Sequence, residues 1–164
     1  MGKLFVFGAT FLLLLSCNQN RNNSSVDGAG EGDFTTEGLP KVFQVNAKAK
    51  EILGSWPEFN GLESSFEALY QAKNKEDLGF VIDDLIEKQK LLAASTYPEA
   101  FDIPQIKSRQ KVFRTYILKV KASLEYRTET TTPALEMVQA YNAMRNQFNV
   151  IVNNTLDTQL ILDE

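Results

Sequence analysis

Histidine is absent from this chain, cysteine occurs once, and no apolar run reaches the length a membrane-crossing helix needs. Without histidine the chain lacks the commonest general base, proton shuttle and metal ligand. The Glu-x-x-His pairs that hold a di-iron centre between helices are therefore impossible. Haem would be left to tyrosines or to Met137 and Met144, and two methionines at that spacing fit the buried side of a helix. A single cysteine cannot form a disulfide within its own chain. Neither a Walker sequence nor a Gly-x-Gly-x-x-Gly phosphate loop occurs, and no EF-hand spacing is present. Seventeen basic residues against 21 acidic ones give a net charge of -4, which speaks against a nucleic-acid partner. We expect no enzyme, no catalytic residue, no metal and no cofactor.

What is present begins at the N-terminus. Lys3 precedes an apolar run from Leu4 to Leu15, followed by Ser16 and Cys17. A basic start, about a dozen apolar residues and a small residue before the cut are the parts of a secretory signal. The run is well short of the ~20 residues that span a bilayer. Ending on Leu-Leu-Ser-Cys, it resembles the lipobox of bacterial lipoproteins. That resemblance implies that Cys17 is acylated, becomes the new N-terminus and anchors the protein with palmitate-type chains. Two or more acyl chains give stable anchoring where one is marginal.

The expected organisation is a signal peptide over 1–16, lipidated Cys17 with a flexible linker over 17–38, and a folded domain over 39–164. Asn, Ser and Gly dominate the linker, where Val26, Ala29 and Phe34 are the apolar residues. Such a composition cannot offset its ordering entropy, and the tether is expected to be disordered with a mean reach of roughly 25 Å. Lipoproteins exported to the surface of Bacteroidota-type bacteria often carry acidic residues directly after the cysteine. Asn18-Gln19-Asn20-Arg21 has none, so the resemblance implies an outer-membrane location facing the periplasm. In layout the chain is similar to small uncharacterised helical lipoproteins of those bacteria, which implies no activity.

The folded part reads as all-α, an antiparallel bundle of about four helices. The first spans 42–72 and is broken near Trp56-Pro57, because proline disfavours a helical residue before it. Phe59, Leu62, Phe66 and Leu69 recur there at helical spacing. Asn74 is expected to cap the second, with Glu76 and Asp77 in its first turn and Leu78, Val81, Ile82, Leu85 and Leu92 buried. Asp102 is expected to cap the third, with Gln105 in the capping-box position and Ile106, Phe113, Ile117, Val120 and Leu124 inward. Thr132 before Pro133 marks the fourth, with Met137, Tyr141, Met144, Phe148, Val152 and Thr155 inward. The tail 156–164 fits either a helical extension or a cover for the bundle end.

Two stripes stand out as contact surfaces. Gln139, Asn142, Asn146, Asn149 and Asn153 share one face, where a helix that merely met water would carry more Lys and Glu. Such an amide face can hydrogen-bond to a glycan, a peptide or another helix. Lys107, Lys111, Arg114 and Lys121 form a basic flank on the third helix, suited to anionic headgroups or an acidic partner, or to ion pairs with the acidic second helix. Glu76-Asp77 and Asp83-Asp84 read as a solvated acidic face.

These features lead us to expect a lipid-anchored, non-enzymatic accessory or scaffold subunit of an envelope assembly. Its partners would be the membrane, through its anchor, and an envelope protein. The alternative is a helical module holding a small apolar or glycan ligand, with Trp56, Phe59, Tyr70 and Tyr97 as walls.

Overall fold

Over residues 34–154, which the computed structural model describes, every regular element is helical. The signal, Cys17, the linker up to residue 33, Thr155 and the 156–164 tail lie outside the described residues. The first helical region is indeed interrupted at Trp56-Pro57, giving α1 (Ala47–Gly54) and α2 (Pro57–Ala68). Pro57 opens α2, and Trp56 before it is extended, as the clash with a proline ring requires. A 3-10 turn, Leu69–Gln71, closes α2.

Asn74 starts α3 (Lys75–Ala94): its side chain accepts the Asp77 N–H at 2.7 Å, and the Asp77 carboxylate accepts the Lys73 N–H at 3.0 Å. A 3-10 turn, Glu99–Phe101, precedes α4 (Pro104–Glu125), and α5 is Thr131–Asn153.

Three boundaries differ from expectation. Residues 42–46 are not helical; Asn46 caps α1 instead, accepting the Ala49 N–H at 2.9 Å. Asp102 does not cap α4. Ile103 is the extended residue before Pro104, which has no N–H and so needs no capping acceptor at the first helical position, and Asp102 pairs with Lys107. The last helix starts at Thr131 rather than after Thr132, because the Glu129 carboxylate accepts the Thr131 and Thr132 N–H groups. Pro133 then lies within the first turn, where a missing N–H leaves no bond unmade.

The helices run antiparallel, and the pairs that touch show it. Ser65 of α2 meets Asp84 of α3, Asp83 of α3 meets Lys121 of α4, and Lys119 of α4 meets Glu136 of α5. Phe66 stacks on Tyr141 at 3.8 Å while Phe59 meets Phe148 at 5.3 Å, so α2 also faces α5 and the ring of four closes. Phe113 and Phe101 complete this aromatic interior. Of the expected core positions, Leu78, Ile82, Leu85, Leu92, Ile106, Phe113, Ile117 and Val120 are buried, while Val81 and Leu124 are half-buried.

Order begins earlier than residue 39. Phe34, assigned to the linker from composition, is buried in the core, and Gly38 makes the turn after it at φ 85°, a backbone conformation that favours glycine. From there an extended strap lies across the seam between α2 and α5. The Tyr70 hydroxyl donates to the Pro40 carbonyl from one side, and α5 side chains hold the strap from the other.

Candidate functional site

An extended segment with no neighbouring strand must satisfy its backbone some other way. Here the amide face of α5 does it. Asn142 Oδ1 accepts the Phe43 N–H at 2.7 Å, and its Nδ2 donates to the Lys41 carbonyl at 2.9 Å. Asn149 repeats the pattern three strap residues on, accepting the Asn46 N–H at 2.8 Å and donating to the Gln44 carbonyl at 3.2 Å. The Asn46 side chain then donates to Asn153 Oδ1 at 3.1 Å. Asn142 and Asn149 each stand where the edge of a β-strand would stand, giving one donor and one acceptor. Lysine or glutamate in that position offers only one of the two.

The strap is therefore the occupant of Asn142, Asn149 and Asn153. These three were expected to face a separate partner; of the five, Gln139 and Asn146 are left exposed.

Arg145, placed between the two clamps, was not anticipated as a site residue. It is 4% exposed, donates through Nε to the Phe43 carbonyl at 2.5 Å, and pairs through Nη1 with Glu63 of α2. Nη1 also lies 3.4 Å from the Tyr141 hydroxyl. Burial pushes the Tyr141 phenol far above its ordinary value, with Arg145 drawing it only part of the way back, so it stays neutral. One guanidinium thus ties α2, α5 and the strap together. A shallow cavity of about 420 Å³ lies beside it, bounded by Val42, Val45, Glu63, Glu67 and Arg145.

The basic flank divides in two. Lys121 faces α3, with Nζ 2.7 Å from Asp83, an exposed interhelical pair of small energetic weight. Lys107 pairs with Asp102 and lies 5.2 Å from the centre of the Tyr97 ring. The hydrogen bond to Asp102 raises the Lys107 pKa, which keeps the ammonium charged. Lys111 and Arg114 are exposed and have no ion pair among the described residues. Together with Lys107 they border a groove of about 500 Å³ between the end of α3 and the first half of α4.

Gln110 also lines that groove and was missed by sequence reasoning. The Tyr97 hydroxyl donates to its Oε1, while its buried Nε2 has no partner. Burial raises the Tyr97 phenol, against the lowering effect of this hydrogen bond and of Lys107. The signal for Gln110 was available: it falls four residues after Ile106 and three before Phe113, on the core stripe itself.

Of the aromatic residues expected as ligand walls, Trp56, Phe59 and Tyr70 serve packing or hold the strap, and Tyr97 borders the groove. Trp56 and Phe59 are buried and in ring contact, and the Trp56 indole N–H donates to Ser95 Oγ at 2.8 Å. Tyr70 holds the strap, and Tyr97 packs against Trp56 with centroids 4.7 Å apart. Cys17, the expected lipidation site, lies outside the described residues. Comparison with family models, with curated proteins and with solved structures returned no match.

Proposed function

We propose that this chain is a lipid-anchored envelope protein, attached through Cys17 at the outer membrane facing the periplasm, and a non-enzymatic accessory or scaffold subunit of an envelope assembly. The observation that carries the reading is the Leu-Leu-Ser-Cys ending of the apolar run, on the one cysteine of the chain. The strap supports it. A domain held by its N-terminus receives every pull through the segment that follows the tether. That segment is fastened by buried Phe34, by the Tyr70 bond to Pro40, and by Asn142, Arg145 and Asn149.

The test of the anchor is Cys17→Ser, followed by membrane fractionation and labelling with a radioactive fatty acid. Release from membranes, or loss of processing and label, is expected. A variant that remains fully membrane-bound and normally processed overturns the anchor. The accessory role is tested with photo-crosslinking side chains at Gln139 and Asn146, the members of the amide face that the strap leaves exposed. A discrete crosslinked envelope protein is expected from at least one position. A chain that stays uncrosslinked at both, under conditions that trap other envelope complexes, counts against a partner on this face.

A further inference from the structure

We propose that the groove between α3 and α4 binds a phosphate monoester dianion. The inference stands on the groove alone and is independent of the lipid anchor. Its charged lining is Lys107, Lys111 and Arg114 against Asp102, which leaves two positive charges in excess. Lys107 is already committed to Asp102, so the excess resides on Lys111 and Arg114, neither of which has an ion pair among the described residues. A phosphate monoester carries close to two negative charges near neutral pH, since its second ionisation falls near pH 6. A carboxylate or a phosphodiester, with one charge, would leave half of that excess unmatched. The Arg114 guanidinium adds a planar fork of donors that suits phosphate oxygens.

The floor of the groove supplies the second observation. Gln110 is 3% exposed, and Tyr97 engages one end of its amide while Nε2 is buried without an acceptor. Native proteins keep few buried donors unmade, because each one is destabilising. A phosphate oxygen entering beneath Lys111 and Arg114 provides the acceptor this donor lacks. The cavity volume of about 500 Å³ exceeds that of a phosphate alone and leaves space for an organic group beyond it. That group belongs either to a soluble phosphate ester or to a lipid whose headgroup is a phosphomonoester.

Calorimetric titration of the full chain distinguishes these sources and tests the site. The probes are inorganic phosphate, glycerol 3-phosphate, a short-chain phosphatidic acid and, as a monoanion control, dimethyl phosphate. Saturable one-site binding of the monoesters is expected, with dimethyl phosphate about tenfold weaker for want of the second charge. Phosphatidic acid binding about tenfold more tightly than glycerol 3-phosphate assigns the site to a headgroup; equal binding assigns it to a soluble ester. Lys111→Gln with Arg114→Gln, both at exposed positions, should weaken binding about tenfold or more. Gln110→Met keeps the side-chain volume and removes the unpaired donor. It also removes the acceptor of the Tyr97 hydroxyl, so it should weaken binding about fivefold while lowering the thermal midpoint only by the loss of that one half-buried hydrogen bond. No saturable binding to any monoester, equal affinity for dimethyl phosphate, or unchanged affinity in either variant overturns the proposal.

Discussion

Asn142 and Asn149 stand seven residues apart on α5, and the peptide groups they hold are displaced by three residues along the strap. The match is the one a strap of polyproline II type would make. Seven α-helical residues rise about 10.5 Å. Three residues of polyproline II rise about 9.3 Å and return to the same side of the chain. A β-strand returns to the same side every second residue and would lose this step. Leu39, Val42 and Val45 follow the same three-residue period and pack against the core.

The clamp makes a prediction in which shape and chemistry part company. Asn149→Ala removes both bonds and should cost about 1 kcal/mol, with faster exchange of the Asn46 amide hydrogen. Asn149→Asp keeps the shape and the acceptor for Asn46 but turns a carboxylate oxygen toward the Gln44 carbonyl. It should destabilise at least as much as alanine in urea unfolding at neutral pH. An aspartate variant as stable as the parent would show that the donor to Gln44 contributes nothing.

Arg145 should tolerate substitution least of the polar residues. Its Nε and Nη1 reach different partners, the Phe43 carbonyl and Glu63, which a single lysine ammonium cannot reproduce. Arg145→Leu should cost about 2–3 kcal/mol, less than a fully buried pair because the Glu63 side chain is 34% exposed. Arg145→Lys should recover less than half of that loss. Denaturant unfolding of the two variants and the parent measures both. Full recovery by lysine would mean that charge alone, without the fork, holds the seam.

Much of this fold is legible in the residues, and the illegible parts share a cause. Pro57 and Asn74 act through their own backbone and first turn, so local chemistry locates them. Thr132-Pro133 gave the right helix but the wrong first turn, because Glu129 is a capping residue from outside the expected motif. The strap escaped because an extended segment has no partner in its own sequence neighbourhood; its donors and acceptors are met about a hundred residues away. The amide face of α5 announced hydrogen bonding to a peptide, a glycan or a helix, but composition cannot say that the peptide is the chain's own. Arg145 and Gln110 fall in no motif and in no stripe of like residues. Yet each sits four residues after one core aromatic or aliphatic and three before the next, Tyr141 and Phe148 for one and Ile106 and Phe113 for the other. A polar residue in phase with the apolar stripe is the signal for a buried one.

The end of α4 predicts a stabilising change. The Arg127 and Thr128 N–H groups donate to the Leu124 and Ser123 carbonyls at 3.2 Å and 2.9 Å, and Arg127 adopts φ 53°. This is the Schellman arrangement, in which the left-handed position is usually glycine because a Cβ strains it. Arg127→Gly should raise stability by about 0.5–1 kcal/mol, net of the extra freedom glycine gives the unfolded chain. A lowered thermal midpoint would mean that the arginine side chain is held by something worth more than the strain.

Glu129 gives the start of α5 a pH dependence of definite sign. Burial alone would raise its pKa, but the hydrogen bonds from Thr132 and Thr131 outweigh it and hold the carboxyl below its ordinary value. A group whose pKa is lower in the folded state than in the unfolded one adds stability above its unfolded pKa. That contribution is lost as the pH falls through the folded pKa. Glu129→Gln keeps an oxygen that accepts one N–H but abolishes the charge and the titration. The parent should therefore exceed the variant in stability at about pH 6, and the gap should shrink progressively between about pH 5 and pH 3. Because the carboxylate sits at the positive end of the helix dipole, added salt should narrow the gap at pH 6 as well. Thermal unfolding of both chains across that range reads the effect directly. A gap that widens on acidification would mean that the protonated carboxyl, donating rather than accepting, is the form that starts α5.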